Sequence, residues 1–72
     1  MSPEKMVRMA NQIATFFESQ PVADQSAPVA AHLNDFWEPS MRVALADYVE
    51  AGGTGLHPLV LQAVDKLRLP VS

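Results

Sequence analysis

The stretch Phe36-Trp37-Glu38-Pro39-Ser40-Met41-Arg42 decides how this chain is built. It gathers the only tryptophan, one of three phenylalanines and one of five basic residues around a proline. Glu38 precedes Pro39, and a residue before proline is pushed out of the α region, so a helix arriving from the N-terminal side ends here. Pro39 has its φ preset and no amide hydrogen to lose, so it serves equally well as the first residue of the next helix. The stretch therefore reads as two helices joined by a tight bend, with large apolar residues close to it.

Working outward, the upstream helix spans about 27–37. Ser26-Ala27-Pro28 opens it, and Val29, Leu33, Phe36 and Trp37 recur at helical spacing. The downstream helix spans about 39–51 and places Met41, Ala44, Leu45, Tyr48 and Val49 on one face, with Gly52-Gly53 supplying the left-handed C-cap. Ser2-Pro3-Glu4 starts a first helix, about 3–20, with a hydroxyl cap, a proline and an acid that suits the dipole; Pro21 stops it. At about 100° per residue, Met6, Val7, Met9, Ala10, Ile13, Ala14, Phe16 and Phe17 fill roughly half of its circumference. A loop of small and polar residues follows. His57-Pro58 then opens a fourth helix, about 58–68, with Leu59, Val60, Leu61, Ala63, Val64 and Leu67 over more than half a turn, and Leu69 to Ser72 form a tail. No segment alternates with period two. The expected fold is all-α, a small bundle or cluster of about four short helices in one domain over residues 1–72.

Composition narrows the function. Seventy-two residues give a small core, and chains of this size usually add disulfides, a metal or a partner. There is no cysteine, and His32 and His57 alone are too few imidazoles for a structural zinc site. A partner is the remaining route. The net charge of −3, with Lys5, Arg8, Arg42, Lys66 and Arg68 scattered singly, opposes nucleic-acid binding, which needs a clustered basic face. No apolar run approaches the roughly 20 residues that span a bilayer. Glu4, Asn11 and Gln12 interrupt any signal-peptide reading, so a cytoplasmic location is expected.

No residues form a catalytic, cofactor or metal constellation. Gly52-Gly53-Thr54-Gly55 follows a helix instead of a strand and lacks the lysine of a phosphate loop, so a helix cap explains it. His32 reads as a boundary residue and His57 as a helix-entry residue. Met9, Ile13, Phe16, Phe17, Leu33, Phe36, Trp37, Leu45, Tyr48 and Val64 are the expected core. The apolar arcs of the first and fourth helices exceed what a small cluster buries, and Val43 points away from the main stripe of its helix. Excess apolar surface of this kind marks an interaction face. The expected outward corner is Glu38, Met41, Arg42 and Val43, with Glu38 and Arg42 close enough to pair.

Three blocks carry a family resemblance: Ser2 to Pro21 (SPEKMVRMANQIATFFESQP), Val29 to Arg42 (VAAHLNDFWEPSMR) and Tyr48 to Val64 (YVEAGGTGLHPLVLQAV). In this order and spacing the chain resembles the delta subunit of the bacterial NAD-dependent, molybdenum-containing formate dehydrogenase. One departure stands at the bend: Ser40 occupies a position where the family pattern has arginine, so no ion-pair role is carried to it. The resemblance implies an accessory subunit, not an enzyme by itself. Its implied partners are the large catalytic (alpha) subunit, with flavin and iron–sulfur subunits in the same complex. That complex oxidises formate to carbon dioxide and reduces NAD, and is implied to hold a molybdenum or tungsten pterin, iron–sulfur clusters and FMN, none of them in this chain. The alternatives are a transient maturation factor for cofactor insertion, an unrelated helical protein-binding module, or self-association through the same apolar faces.

Overall fold

A computed structural model describes residues 2–70; Val71 and Ser72 of the expected tail lie outside the described residues. Four helices follow one another: α1 (Pro3–Glu18), α2 (Ser26–Phe36), α3 (Pro39–Glu50) and α4 (Pro58–Val64), with no strand among the described residues. The molecule is all-α.

The starts are local chemistry. Ser2 Oγ accepts the Lys5 amide at 3.2 Å and Pro3 takes the first turn of α1, where no amide donor is missed. At α2 the cap lies two residues upstream: Asp24 Oδ1 accepts both the Ser26 amide (3.1 Å) and the Ser26 hydroxyl (2.6 Å). Trp37 and Glu38 are extended, at ψ 138° and 152°, and Pro39 restarts the helix at once, as the proline rule requires. His57 caps α4 with its own ring, Nδ1 accepting the Leu59 amide at 3.0 Å.

The ends depend more on tertiary contacts. α1 stops at Glu18, two residues short of the expected Gln20. The Gln25 side-chain amide donates to the carbonyls of Glu18 (2.8 Å) and Gln20 (2.9 Å) and turns the chain toward α2. α3 closes with a Schellman motif: the Gly53 amide reaches the Tyr48 carbonyl and the Gly52 amide the Val49 carbonyl, each at 3.0 Å. Gly53 has φ +64°, and a Cβ there would stand 2.8 Å from Leu61 Cδ2, so position and packing both demand glycine. α4 ends at Val64, not at Arg68. Beyond it the chain tightens into i→i+3 bonds from Lys66 to Ala63 and from Leu67 to Val64. The following segment is held by α2 and α3. Asn34 Nδ2 donates to the Lys66 carbonyl (3.2 Å), Asn34 Oδ1 accepts the Arg68 amide (2.8 Å), and Arg42 Nε donates to the Arg68 carbonyl (2.8 Å).

α2 and α4 form the central pair; α1 packs on both, and α3 joins through α4. α1 presents Met6, Ala10 and Ala14 inward, each four residues from the last, and the two alanines let it approach closely. Ala30, Leu33, Leu45, Val60 and Ala63 complete much of the interior, with Trp37 buried at the bend. Side-chain amides lock the helices together. Asn11 donates to the Gly55 carbonyl (2.9 Å) and accepts the His57 amide (2.8 Å), joining α1 to the entry of α4. His57 Nε2 also lies 3.0 Å from Glu18 Oε2. Among the described residues no buried side-chain polar atom lacks a partner.

Candidate functional site

The two most exposed large apolar side chains lie on α1 and α2. Phe16 is 60% exposed and Phe36 74% exposed, although both belong to the expected core. The reason is geometric. The inward stripe of α1 follows Met6, Ala10 and Ala14, and Phe16 stands about 120° away from its centre at about 100° per residue. In α2 the inward stripe runs through Ser26, Val29, Ala30 and Leu33, and Phe36, the last residue of the helix, lies at its edge one turn beyond Leu33.

The exposed rings belong to a chain of aromatic contacts. Phe16 meets Phe17 edge-on, with centroids 5.1 Å apart and planes at 84°. Phe17 approaches the His32 ring at 6.3 Å, and His32 lies 4.7 Å from Phe36 at a tilt of 36°. Met9 and Ile13 from α1 and Trp37 from the bend line the same groove. Offset and edge-on geometries suit the ring quadrupoles, so these side chains hold one another in place while their outer faces meet solvent. A pre-ordered aromatic groove with an adaptable methionine is what a protein-binding surface requires.

The other expected core residues have different placements. Leu33 and Leu45 are fully enclosed and Trp37 is buried; Met9, Ile13, Phe17, Tyr48 and Val64 are half-buried and pack against the core. The Tyr48 hydroxyl donates to the Thr54 carbonyl at 2.7 Å.

The expected docking corner is rearranged. Arg42 does not point outward and forms no ion pair with Glu38. Its Nη1 donates to the carbonyls of Trp37 (2.6 Å) and Asn34 (3.3 Å), and its Nε to that of Arg68. A guanidinium satisfies several carbonyls in one plane, and here it closes the C-terminal end of α2. Met41 and Val43 are half-buried, and Glu38 is exposed. The corner therefore exposes less apolar surface than the groove does. No local pattern in the sequence marks Arg42 for this role, because its acceptors lie five, eight and 26 residues away.

Among the described residues no group of three or more His, Cys, Asp or Glu converges. Both nitrogens of His57 are engaged, and His32 is stacked against Phe36. One ionic cluster ties the start of α2 to the segment after α4: Lys66 Nζ donates to Ser26 Oγ at 2.6 Å and stands 3.5 Å from Asp24 Oδ2. The hydrogen bond from Ser26, and then the Lys66 charge, hold the Asp24 carboxyl below the ordinary carboxylate value.

A family model for the NADH-dependent formate dehydrogenase delta subunit, FdsD, matches residues 5–64. A comparison with curated proteins found no match.

Proposed function

The chain belongs to the NADH-dependent formate dehydrogenase delta subunit family, and from that premise we propose that it is a non-catalytic subunit that supports assembly or stability of a cytoplasmic enzyme. That enzyme oxidises formate to carbon dioxide and passes the electron pair to NAD. The proposed primary partner is the large catalytic subunit, with flavin and iron–sulfur subunits completing the complex. The observation that carries the reading is the exposed aromatic groove in a chain of this family: Phe16 and Phe36 cover no core of their own. Solvent-facing aromatic anchors of this kind dominate binding energy when a partner covers them.

The pterin metal centre, iron–sulfur clusters and FMN belong to the other subunits in this proposal. The donor set of this chain does not suit them: it has no thiolate for a cluster, and its two imidazoles are occupied as described. Its contribution is to bury apolar surface on a neighbour and hold that neighbour's conformation through binding free energy.

Affinity purification of the tagged chain, followed by an assay of formate-dependent NAD reduction in the eluate, tests the proposal. Large, flavin and iron–sulfur subunits in equal amounts, with activity, are the expected result. Elution of the chain alone, or with unrelated proteins, would overturn the subunit assignment. An inactive, cofactor-poor large subunit as sole companion would replace it with a maturation role.

A further inference from the structure

His57 stands where α1 meets the entry of α4, and its ring is used at both nitrogens. Nδ1 accepts the Leu59 amide at 3.0 Å and caps α4, while Nε2 lies 3.0 Å from Glu18 Oε2 at the end of α1. The backbone of the same residue is held as well, its amide donating to Asn11 Oδ1 at 2.8 Å. These contacts admit one protonation state. An amide donates only to a lone pair, so Nδ1 carries no proton. A carboxylate accepts, so the ring proton sits on Nε2.

A second proton would occupy the lone pair that Leu59 uses. The doubly protonated ring has two donors and no acceptor, so the cap and the proton exclude each other. The Leu59 amide has no substitute within the helix, because first-turn amides lack an intrahelical acceptor. The His57 carbonyl is taken by the amides of Val60 (2.9 Å) and Leu61 (3.2 Å), and Leu59 itself is buried, which limits replacement by water. The charges around the ring do not remove the conflict. Glu18 faces it from α1 and favours the charged form, but its side chain is 58% exposed and solvent weakens the attraction. Residues 52–56 and α4 contain no titratable side chain. From α3, neither Asp47 nor Glu50 lies within ion-pair distance of the ring, and Asp24 and Lys66, beside the start of α2, pair with each other.

We propose that His57 is a proton-operated latch between α1 and α4. The neutral ring closes it. Protonation at Nδ1 releases the Leu59 amide and loosens the first turn of α4, while the ring stays attracted to Glu18. Imidazoles ordinarily change charge between about pH 5 and 8, where carboxylates and lysines keep theirs. α4 pairs with α2 at the centre of the fold, so the latch sets a proton-sensitive joint against the core. The inference concerns the folded chain by itself and does not rest on the subunit reading.

The test is an NMR titration of the full chain from about pH 7.5 to about pH 5.5, following the His57 ring nitrogens and the Leu59 amide together. At the upper pH the ring proton is expected on Nε2. Protection of the Leu59 amide from solvent exchange, corrected for the intrinsic rate, should fall about five-fold or more along the His57 titration curve. His57→Asn keeps a side-chain cap that does not titrate, so its Leu59 protection should stay level over the same range. A ring proton on Nδ1 at the upper pH, or Leu59 protection that ignores the His57 titration, would overturn the proposal. An equal fall in His57→Asn would sink it too, by assigning the effect to another group. The unsubstituted chain decides by itself should that variant not fold.

Discussion

Arg42→Ala leaves the carbonyls of Asn34, Trp37 and Arg68 without their shared donor. The expected cost to the isolated chain is about 1.5–3 kcal/mol, read as a lower urea midpoint. Arg42→Lys should recover little of it, because an ammonium lacks the planar fork that reaches carbonyls on separate segments. An unchanged midpoint would show that these bonds do not hold the bend. The adjacent aromatics separate in the opposite sense. Trp37→Ala opens a buried site and should cost about 3–5 kcal/mol. Phe36→Ser should move the isolated midpoint by no more than about 0.5 kcal/mol yet weaken retention in the complex by about 2 kcal/mol or more. Equal losses in both measurements would place Phe36 in the core after all. The sequence makes both residues equally large and apolar, and a helical wheel turns through Trp37 as though the helix continued. Around that wheel Trp37 lies about 100° from Phe36, between Ala30 and Leu33, and its amide still bonds the Leu33 carbonyl at 3.0 Å, so the helical path itself turns it inward.

Helix starts were legible because their chemistry is contained within a few residues: Ser2 and Pro3 at α1, Pro39 at α3, His57 and Pro58 at α4. The end of α3 was legible for the same reason, through Gly52 and Gly53. Gly53→Ala combines an unfavourable φ with the close Leu61 methyl, and a loss of about 1–3 kcal/mol in thermal or denaturant unfolding is expected. A neutral outcome would mean that the turn relaxes without disturbing α4. The end of α4 was not legible. Lys66, Leu67 and Arg68 continue an acceptable helical pattern, and what diverts them is Asn34 and Arg42 on other elements. Side-chain amides that grip distant backbone leave no period in a sequence, so Asn11 and Asn34 look like ordinary surface residues until the helices are assembled.

At the scale of the whole molecule, the all-α class followed from periodicity and punctuation, while the site followed from neither. Apolar excess on α1 implied that some large apolar side chains stay exposed; which ones depended on the alanine stripe that draws α1 inward along Met6, Ala10 and Ala14 and leaves Phe16 outside. Acid stability is set partly by the Asp24 cluster that joins the loop before α2 to Lys66. The carboxyl is held below its ordinary value of 3.8, first by the Ser26 hydrogen bond and then by Lys66. Its contribution is present above pH 3.8 and fades as the pH falls below that value, because the folded form takes up its proton later than the unfolded form. Asp24→Asn should therefore flatten the pH dependence of stability below that point, and an unaltered acid limb would show the cluster to be idle. The clamp of Asn34 and Arg42 on residues 66–68 also orders events in time. Its bonds close loops of 26 to 34 residues, a chain-entropy cost that the local turns of each helix do not carry. The bend between α2 and α3 thus receives its last fastening after the helices themselves have formed.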